Sequence, residues 1–347
     1  MAPTHYPDWL ADMPPDIKAS AFRRGDIYGT YANNPLPFAA KLRLVLLAIF
    51  LVPLKVLLTF ICVIGYYICI LLGNSLSGLR RTKYMAATGK FWTRCLLYAM
   101  GFFSIRWLYV TPDGKRSATR PPGFADTRIG GYVSTHCSWA DIILYMSQIF
   151  PSFVAKKEVS DLPLIGTISK AMQCLFVDRE ARLAAAGKGG EGMSQLVKER
   201  MQRRFASPND DPELPMLLFP EGTTTNNSAI MPFKRGAFVA GVPVQPLVLQ
   251  YDKSGPFWPT WDAMPGFTHI GLLLSEPSHR VTVLVLPPYV PSEAEKADPT
   301  LYAENVRQLM IKCSGIPATD ETFADKLAFF KYVTGRIAAQ KAKPKAE

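Results

Sequence analysis

The stretch YVSTHCSWADIILYM, residues 132–146, changes its periodicity halfway along. Together with Gly131, its first residues form a short β-like run that delivers His136 to a strand end. From Trp139 onward the apolar residues recur at helical spacing. A strand that feeds directly into a helix is the repeating unit of an α/β fold. The alternation continues on both sides. Strands are expected at 106–111, 131–135, 152–156, 174–178, 215–219, 244–250 and 281–287, and helices at 139–150, 162–172, 191–205 and 300–313. The chain therefore reads as α/β, with a mixed, largely parallel sheet flanked by helices.

On a single helix, two residues five apart point roughly 140° from each other. His136 and Asp141 can face one another only if the histidine sits in the loop and the aspartate in the first helical turn. In that geometry Asp141 fixes the tautomer of His136 and stabilises its protonated form, as a general base requires. The same spacing also suits a surface histidine beside a carboxylate at a helix N-terminus. Cys137 and Ser138 adjoin the histidine, but no G-x-S-x-G elbow surrounds either, so neither reads as a triad nucleophile.

Two further strand ends carry polar groups. PMLLFPEGTTTN (215–226) is a very apolar run ending in Glu221, Gly222 and Thr223, a carboxylate beside a bare backbone. Ligands of α/β sheets bind at that edge, although Pro-Glu-Gly alone also suits a simple turn. QCLFVDRE (173–180) delivers Arg179, a side chain suited to phosphate or to a surface ion pair. GKGGEG (187–192) lacks the spacing of a phosphate-binding loop and reads as a flexible connection.

The 347 residues allow one large domain with appendages. Apolar residues make up 48% of the chain, and the mean hydropathy is +0.08, which suggests a globular domain with a limited membrane segment. A net charge of +11 suits anionic partners such as an acidic bilayer or phosphate-bearing substrates. Nucleic acid is not expected, because the charge is not gathered into a basic-aromatic segment. The six cysteines show no metal-ligand spacing and read as reduced, so no metal is expected.

The longest apolar run is LRLVLLAIFLVPLKVLLTFICVIGYYICILLG, residues 42–73. As one helix it would reach roughly 48 Å, beyond a hydrocarbon core of about 30 Å. Pro53 and Lys55 interrupt it, and basic residues flank both ends, which suggests a re-entrant hairpin turning near Pro53 with both ends in the cytosol. A single span over about residues 56–73 is the rival. FWTRCLLYAMGFFSIRWLYV (91–110) reads as an amphipathic helix on the membrane surface that enters the first strand. The expected organisation is a polar segment at 1–40, a membrane anchor at 41–105, a catalytic domain at 106–315, and a carboxyl-terminal helix with a basic tail at 316–347.

Taken in order, His136-Cys-Ser-x-x-Asp141, Phe-Val-x-Arg179, Phe-Pro-Glu221-Gly222-Thr223 and GVPVQPLVL (241–249) resemble the four blocks of the glycerolipid acyltransferase superfamily. LPPYVPSEAEKADPTLYAENVRQLM (286–310), GIPATDETFADKLAFF (315–330) and FLVPLKVLL (50–58) resemble the branch of lysophosphatidylcholine and lysophosphatidylethanolamine acyltransferases. The likeness spans roughly residues 40 to 330.

The resemblance implies transfer of a fatty acyl group from acyl-CoA, a co-substrate rather than a bound cofactor, to a lysophospholipid hydroxyl. A lysophosphatidic acid acyltransferase or a CoA-independent transacylase is the alternative. His136 would be the base and Asp141 its support. Arg179, Glu221, Gly222 and Thr223 would bind substrate, with Lys157 a second candidate for the phosphate. Thr135 stands where many members carry asparagine. Thr224 stands where phosphatidic-acid-forming members often carry arginine, which favours a phosphodiester acceptor unless Lys157, Lys234 or Arg235 supplies the second cation. The tail KPKAE places Lys343 and Lys345 in a K-x-K-x-x pattern, suggesting the endoplasmic reticulum membrane with the domain facing the cytosol.

Overall fold

The site is organised by three neighbouring parallel strands: β3 (Gly131–Ser134), β6 (Met216–Leu218) and β7 (Val244–Tyr251). β3 lies between the other two, with Gly131 opposite Met216 on one side and Val244 on the other. All three therefore end at the same edge of the sheet. β1 (Ser104–Val110), β2 (Arg116–Ser117) and β8 (Arg280–Val285) complete a six-stranded sheet in the order β2-β1-β8-β7-β3-β6. β1 runs parallel to β8, whereas β2 against β1 and β8 against β7 are antiparallel. A short parallel pair, β4 (Val154–Lys156) and β5 (Leu175–Val177), is joined to the β6 edge through a bridge from Ser152 to Met216. The sheet is thus mixed and largely parallel. In this computed structural model the described residues are 12–29, 36–111, 113–121, 124, 127–177, 189–208, 210–261 and 263–342.

Helices cover both faces: α1 (Phe38–Gly73), α2 (Gly78–Met100), α3 (Ala140–Met146), α4 (Ile165–Ala171), α5 (Gly189–Ala206), α6 (Gly266–Ser275), α7 (Glu293–Ala297), α8 (Pro299–Ser314) and α9 (Phe323–Ala342). Strands covered on both faces read as continuous apolar runs, and β7 is buried almost throughout. Its alternate residues enter opposite cores. Leu247 and Leu249 join Leu144 and Tyr145 of α3, while Val248 joins Tyr302, Val306 and Met310 of α8. α5 begins at Gly189, so part of the glycine-rich connection is helical. Neither β2 nor α6 was expected from the sequence. Arg179 and KPKAE lie outside the described residues.

α1 corrects the expected turn at Pro53: the helix is continuous from Phe38 to Gly73, and the chain reverses only at residues 74–77 before α2. Lys55, which looks like an interruption, faces inward and is buried. Its ammonium donates to the carbonyl oxygens of Met100 (3.2 Å) and Glu276 (2.5 Å). Arg43 forks onto the carboxylate of the same Glu276 at 3.0 and 2.7 Å. The charges that break the apolar pattern are thus met by docking onto the domain. A lost hydrogen bond at a helical proline is tolerated in apolar helices braced by neighbours.

α2 begins earlier than the expected helix, at Gly78, and leads into β1 as expected. It is seated against α1 and α3, with Met85, Leu97 and Met100 buried. It ends at Gly101, whose φ of +101° closes the helix, and a Cβ there would come within 2.8 Å of the Lys55 ammonium. On the outer side, α1 exposes Phe50, Phe60 and Leu72, and α6 exposes Phe267 at 92%. α1 is long and apolar enough to cross a membrane.

Candidate active site

β3 ends at Ser134, and the backbone leaves the sheet through Thr135 and His136 before α3 begins at Ala140. The Thr135 hydroxyl accepts from the Leu249 amide at 3.0 Å and ties the departing loop to β7. Asp141 sits in the first turn of α3, fully buried, and its Oδ2 lies 2.8 Å from His136 Nδ1. The same oxygen accepts from the amides of Cys137 (2.7 Å) and Ser138 (2.9 Å), while Oδ1 accepts from the Tyr251 hydroxyl at 2.5 Å. Both oxygens of the carboxylate are engaged, so Asp141 can rotate only by breaking several bonds. With Nδ1 turned to Asp141, Nε2 is the nitrogen left to meet a substrate proton.

The imidazole is stacked on Phe219, with ring centroids 4.0 Å apart and planes 15° from parallel. Phe219 stacks in turn on Phe153 at 5.9 Å. Beside Phe153 lies an almost wholly apolar cleft of about 550 Å³, lined by α1, α2, α3, α4 and α6. Cys62, Tyr66, Trp92, Trp139, Ile168 and Leu274 are among its walls. The volume falls in the range of small-molecule sites.

Glu221, just past β6, accepts from the His136 amide at 3.1 Å and from the Met231 amide at 3.1 Å. The Thr225 amide donates to the His136 carbonyl at 2.9 Å. These bonds join the two loops that follow β3 and β6. Gly222 has φ +72°, and a Cβ there would meet the Lys234 ammonium at 2.4 Å, so that side chain lies directly across the glycine. Thr223 and Thr224 are met from behind by Lys326 of α9, whose ammonium donates to Thr223 Oγ1 (2.9 Å), the Thr224 carbonyl (2.6 Å) and Thr224 Oγ1 (2.8 Å). Of the cations the sequence offers this loop, Lys234 lies against it, and Lys326 joins it from α9.

The structure therefore brings His136, Asp141, Glu221, Gly222 and Thr223 together at one sheet edge. Arg179 lies outside the described residues, and Lys157 begins the 3₁₀ turn after β4. Ser138 accepts from the Ala140 amide at 3.3 Å within the loop. Tyr251 and Lys326 escaped the sequence reading. Tyr251 is the last residue of a strand already recognised, and a phenol at that end is the only local hint. Among the described residues no cluster of three or more His, Cys, Asp or Glu side chains is arranged to hold a metal.

Burial, followed by the nearby Asp141 and Glu221, pushes the Cys137 thiol well above its usual range. A protonated, buried thiol is a poor nucleophile. Burial likewise raises the Glu221 carboxyl to about 7, against the pull of its two amide donors and of Arg307 and Lys326. A raised carboxyl holds its proton in the folded chain between about pH 4.5 and 7, where the unfolded chain has released it. Its contribution to stability therefore falls as pH rises through that window and is level above it. Melting temperatures taken from about pH 5 to about pH 8 should decline more in the wild type than in Glu221→Gln. Parallel profiles would show that Glu221 does not titrate there.

Comparison with known proteins agrees on the class. The Acyltransferase family profile matches residues 131–250, the segment that runs from β3 to the end of β7 and carries His136, Asp141 and Glu221. The lysophospholipid acyltransferase LPEAT1 of Arabidopsis thaliana is 34% identical over 362 residues, covering 93% of this chain and 88% of that protein. On that footing, the chain belongs to the lysophospholipid acyltransferase family. The lysophosphatidylcholine acyltransferase of Drosophila melanogaster is 35% identical over 71% of this chain and 42% of its own length. Human lysophosphatidylcholine acyltransferase 2 is 33% identical over 83% of this chain, which spans 50% of that longer protein. The crystal structure of the 1-acyl-sn-glycerophosphate acyltransferase PlsC from Thermotoga maritima superposes with a TM-score of 0.49 at 18% identity, covering 81% of this chain and 99% of that one.

Proposed function

We propose that the chain transfers a fatty acyl group from acyl-CoA to the glycerol hydroxyl of a lysophospholipid of the lysophosphatidylcholine or lysophosphatidylethanolamine type. The observation that carries this is the His136–Asp141 pair, locked at Nδ1 and stacked on Phe219 beside an apolar cavity. His136 Nε2 removes the hydroxyl proton as the oxygen attacks the thioester carbonyl. Asp141 stabilises the imidazolium that forms. Collapse of the tetrahedral intermediate breaks the C–S bond, and the departing CoA sulfur takes the proton back from His136. No acyl-enzyme is needed, in keeping with a protonated Cys137. The cavity takes the fatty chain, and the Glu221–Thr223 loop, with Arg179, meets the acceptor's phosphate. The acceptor class rests on the names of the relatives.

The apolar outer face of α1 rests in the bilayer. Arg43 and Lys55 tie α1 to Glu276, so the helix lies along the catalytic domain, and steep insertion would draw that domain into hydrocarbon. We place the protein in the endoplasmic reticulum membrane with its domain on the cytosolic leaflet. An amino-terminal tag in sealed microsomes is then open to protease, and protection of the tag would refute the placement. The reaction itself is tested by incubating purified protein with labelled acyl-CoA and equal concentrations of lysophosphatidylcholine, lysophosphatidylethanolamine and lysophosphatidic acid. Transfer to one of the first two supports the reading. Preference for lysophosphatidic acid would redirect it to phosphatidic acid synthesis, and hydrolysis without transfer would refute it.

A further inference from the structure

We infer that Lys326, a buried lysine on the carboxyl-terminal helix, is a positioning residue that turns the Thr223 hydroxyl into a directed donor for the acceptor's phosphate. The inference rests on the proposed acylation of lysophospholipids and adds to it a residue to which the block GIPATDETFADKLAFF (315–330) gave no role. Lys326 lies more than a hundred residues from the loop it touches, and is only 6% exposed. Its aliphatic stem runs through aromatic surroundings, with the ammonium 5.7 Å from the centre of the Phe22 ring and 5.2 Å from that of Phe330. An ammonium held in so apolar a place is costly unless its protons are accepted.

The three acceptors on Thr223 and Thr224 match the three protons of an ammonium. The two threonines then differ in what remains. The Thr224 hydroxyl accepts from Lys326 and donates to the Trp261 carbonyl at 3.1 Å, so its bonding is complete within the protein. The Thr223 hydroxyl accepts from Lys326, and among the described residues nothing accepts its own proton. Thr223 is half-buried, next to Gly222 and the Lys234 side chain lying across it. With its oxygen held by the ammonium, Thr223 can only turn its proton outward. Hydrogen bonds in a chain polarise one another, so this hydroxyl is a stronger donor than an isolated one. The positive charge acts one hydroxyl away from the ligand and is not itself desolvated against it. An anionic oxygen is the partner such a donor fits, and a phosphate oxygen of the acceptor is the one this reaction brings to the loop.

Residues 20–23 and 321–333 are built around this contact. Glu321, five residues before Lys326, accepts from the amides of Ser20 (2.6 Å) and Ala21 (2.8 Å). Asn226, three residues after Thr223, takes its place in the same clamp: its amide donates to the Ala21 carbonyl at 2.7 Å, and its side chain to the carbonyls of Ser20 and Arg23 at 2.7 and 2.8 Å. Ala21, Phe22, Met231, Phe329 and Val333 fill a small core behind the loop. α9 is therefore fixed on both sides, and the Lys326 ammonium has little freedom to leave Thr223.

The test compares Thr223→Val, Thr223→Ser, Lys326→Met and the double variant Thr223→Val/Lys326→Met in steady-state acylation, with melting temperatures measured alongside. Removing the relay should raise KM for the lysophospholipid about tenfold, the scale of one hydrogen bond to a charged group. KM for acyl-CoA should stay near the wild-type value. Thr223→Ser keeps the hydroxyl, so its KM should lie well below that of Thr223→Val. The double variant should be no worse than either single one, because the two residues act as one unit. Losses that multiply, a fall in kcat without a change in KM, or a Thr223→Val enzyme with unchanged KM would each overturn the inference. If Lys326→Met does not fold, the valine–serine contrast at Thr223 decides alone. A wild-type protein that acylates no lysophospholipid would instead overturn the functional reading beneath it.

Discussion

His136→Ala is expected to lower turnover by at least about 10²-fold, the scale on which a positioned general base acts, while the protein stays folded. The side chain stacks on Phe219 and pairs with Asp141, but the backbone bonds of His136 to Glu221 and Thr225 persist in the alanine variant. The loop should therefore keep its path, and the loss should fall on kcat. Near-normal turnover in a folded His136→Ala protein would end the mechanism proposed here. Cys137→Ser is the companion measurement. Its thiol is buried and held protonated, so the serine variant should retain activity, and a trapped acyl group on Cys137 would reverse that conclusion.

Asp141→Asn should cost nearly as much as loss of the histidine, for a different reason. Asp141 Oδ2 accepts from His136 Nδ1 and two backbone amides, and Oδ1 accepts from Tyr251. An asparagine has a single acceptor oxygen. If that oxygen keeps the two amides and His136, its NH₂ group turns to the Tyr251 hydroxyl, and the negative charge that stabilises an imidazolium is gone. If it turns the other way, an NH₂ group faces His136 Nδ1 and favours the wrong tautomer, with the proton on Nε2. Either way the nitrogen that must accept the substrate proton is a weaker base or already carries one. The check is a pH–rate profile beside a melting curve. A variant with unaltered profile and rate would show that Asp141 serves only the fold.

The parts of the site that could be read from sequence are those that are local in sequence. His136 and Asp141 lie on either side of a strand-to-helix junction, and the switch from alternating to helical periodicity at residues 132–146 marks that junction without any knowledge of the third dimension. Glu221 and Gly222 follow the apolar run of β6 for the same reason. Tyr251 and Lys326 meet the site from 110 and 102 residues away, and no local pattern encodes such a meeting. Thr224 shows which charge is absent from that position, and Lys234 is near enough in sequence to be named as a substitute, but Lys326 reaches the loop from α9 and has no such local signal. Pro53 and Lys55 misled in another way. A proline and a charge in an apolar run suggest a break, but the partners that satisfy Lys55 are two backbone carbonyls, and carbonyls have no sequence signature. α6 was missed because its apolar run is as short as a buried strand.

The cavity beside Phe153 draws Cys62 and Tyr66 from α1 and Trp92 and Leu96 from α2. The two amino-terminal helices are therefore a third of a mould, not a tether that can be cut. A fragment trimmed to the residues after Gly101, of the kind made to obtain a soluble enzyme for screening, would keep His136 and Asp141 but leave the mould open along one side. Such a fragment would lack the walls that α1 and α2 give to the cavity in which the fatty chain is proposed to lie. Inhibitors selected against it would be fitted to a groove that the intact protein never presents.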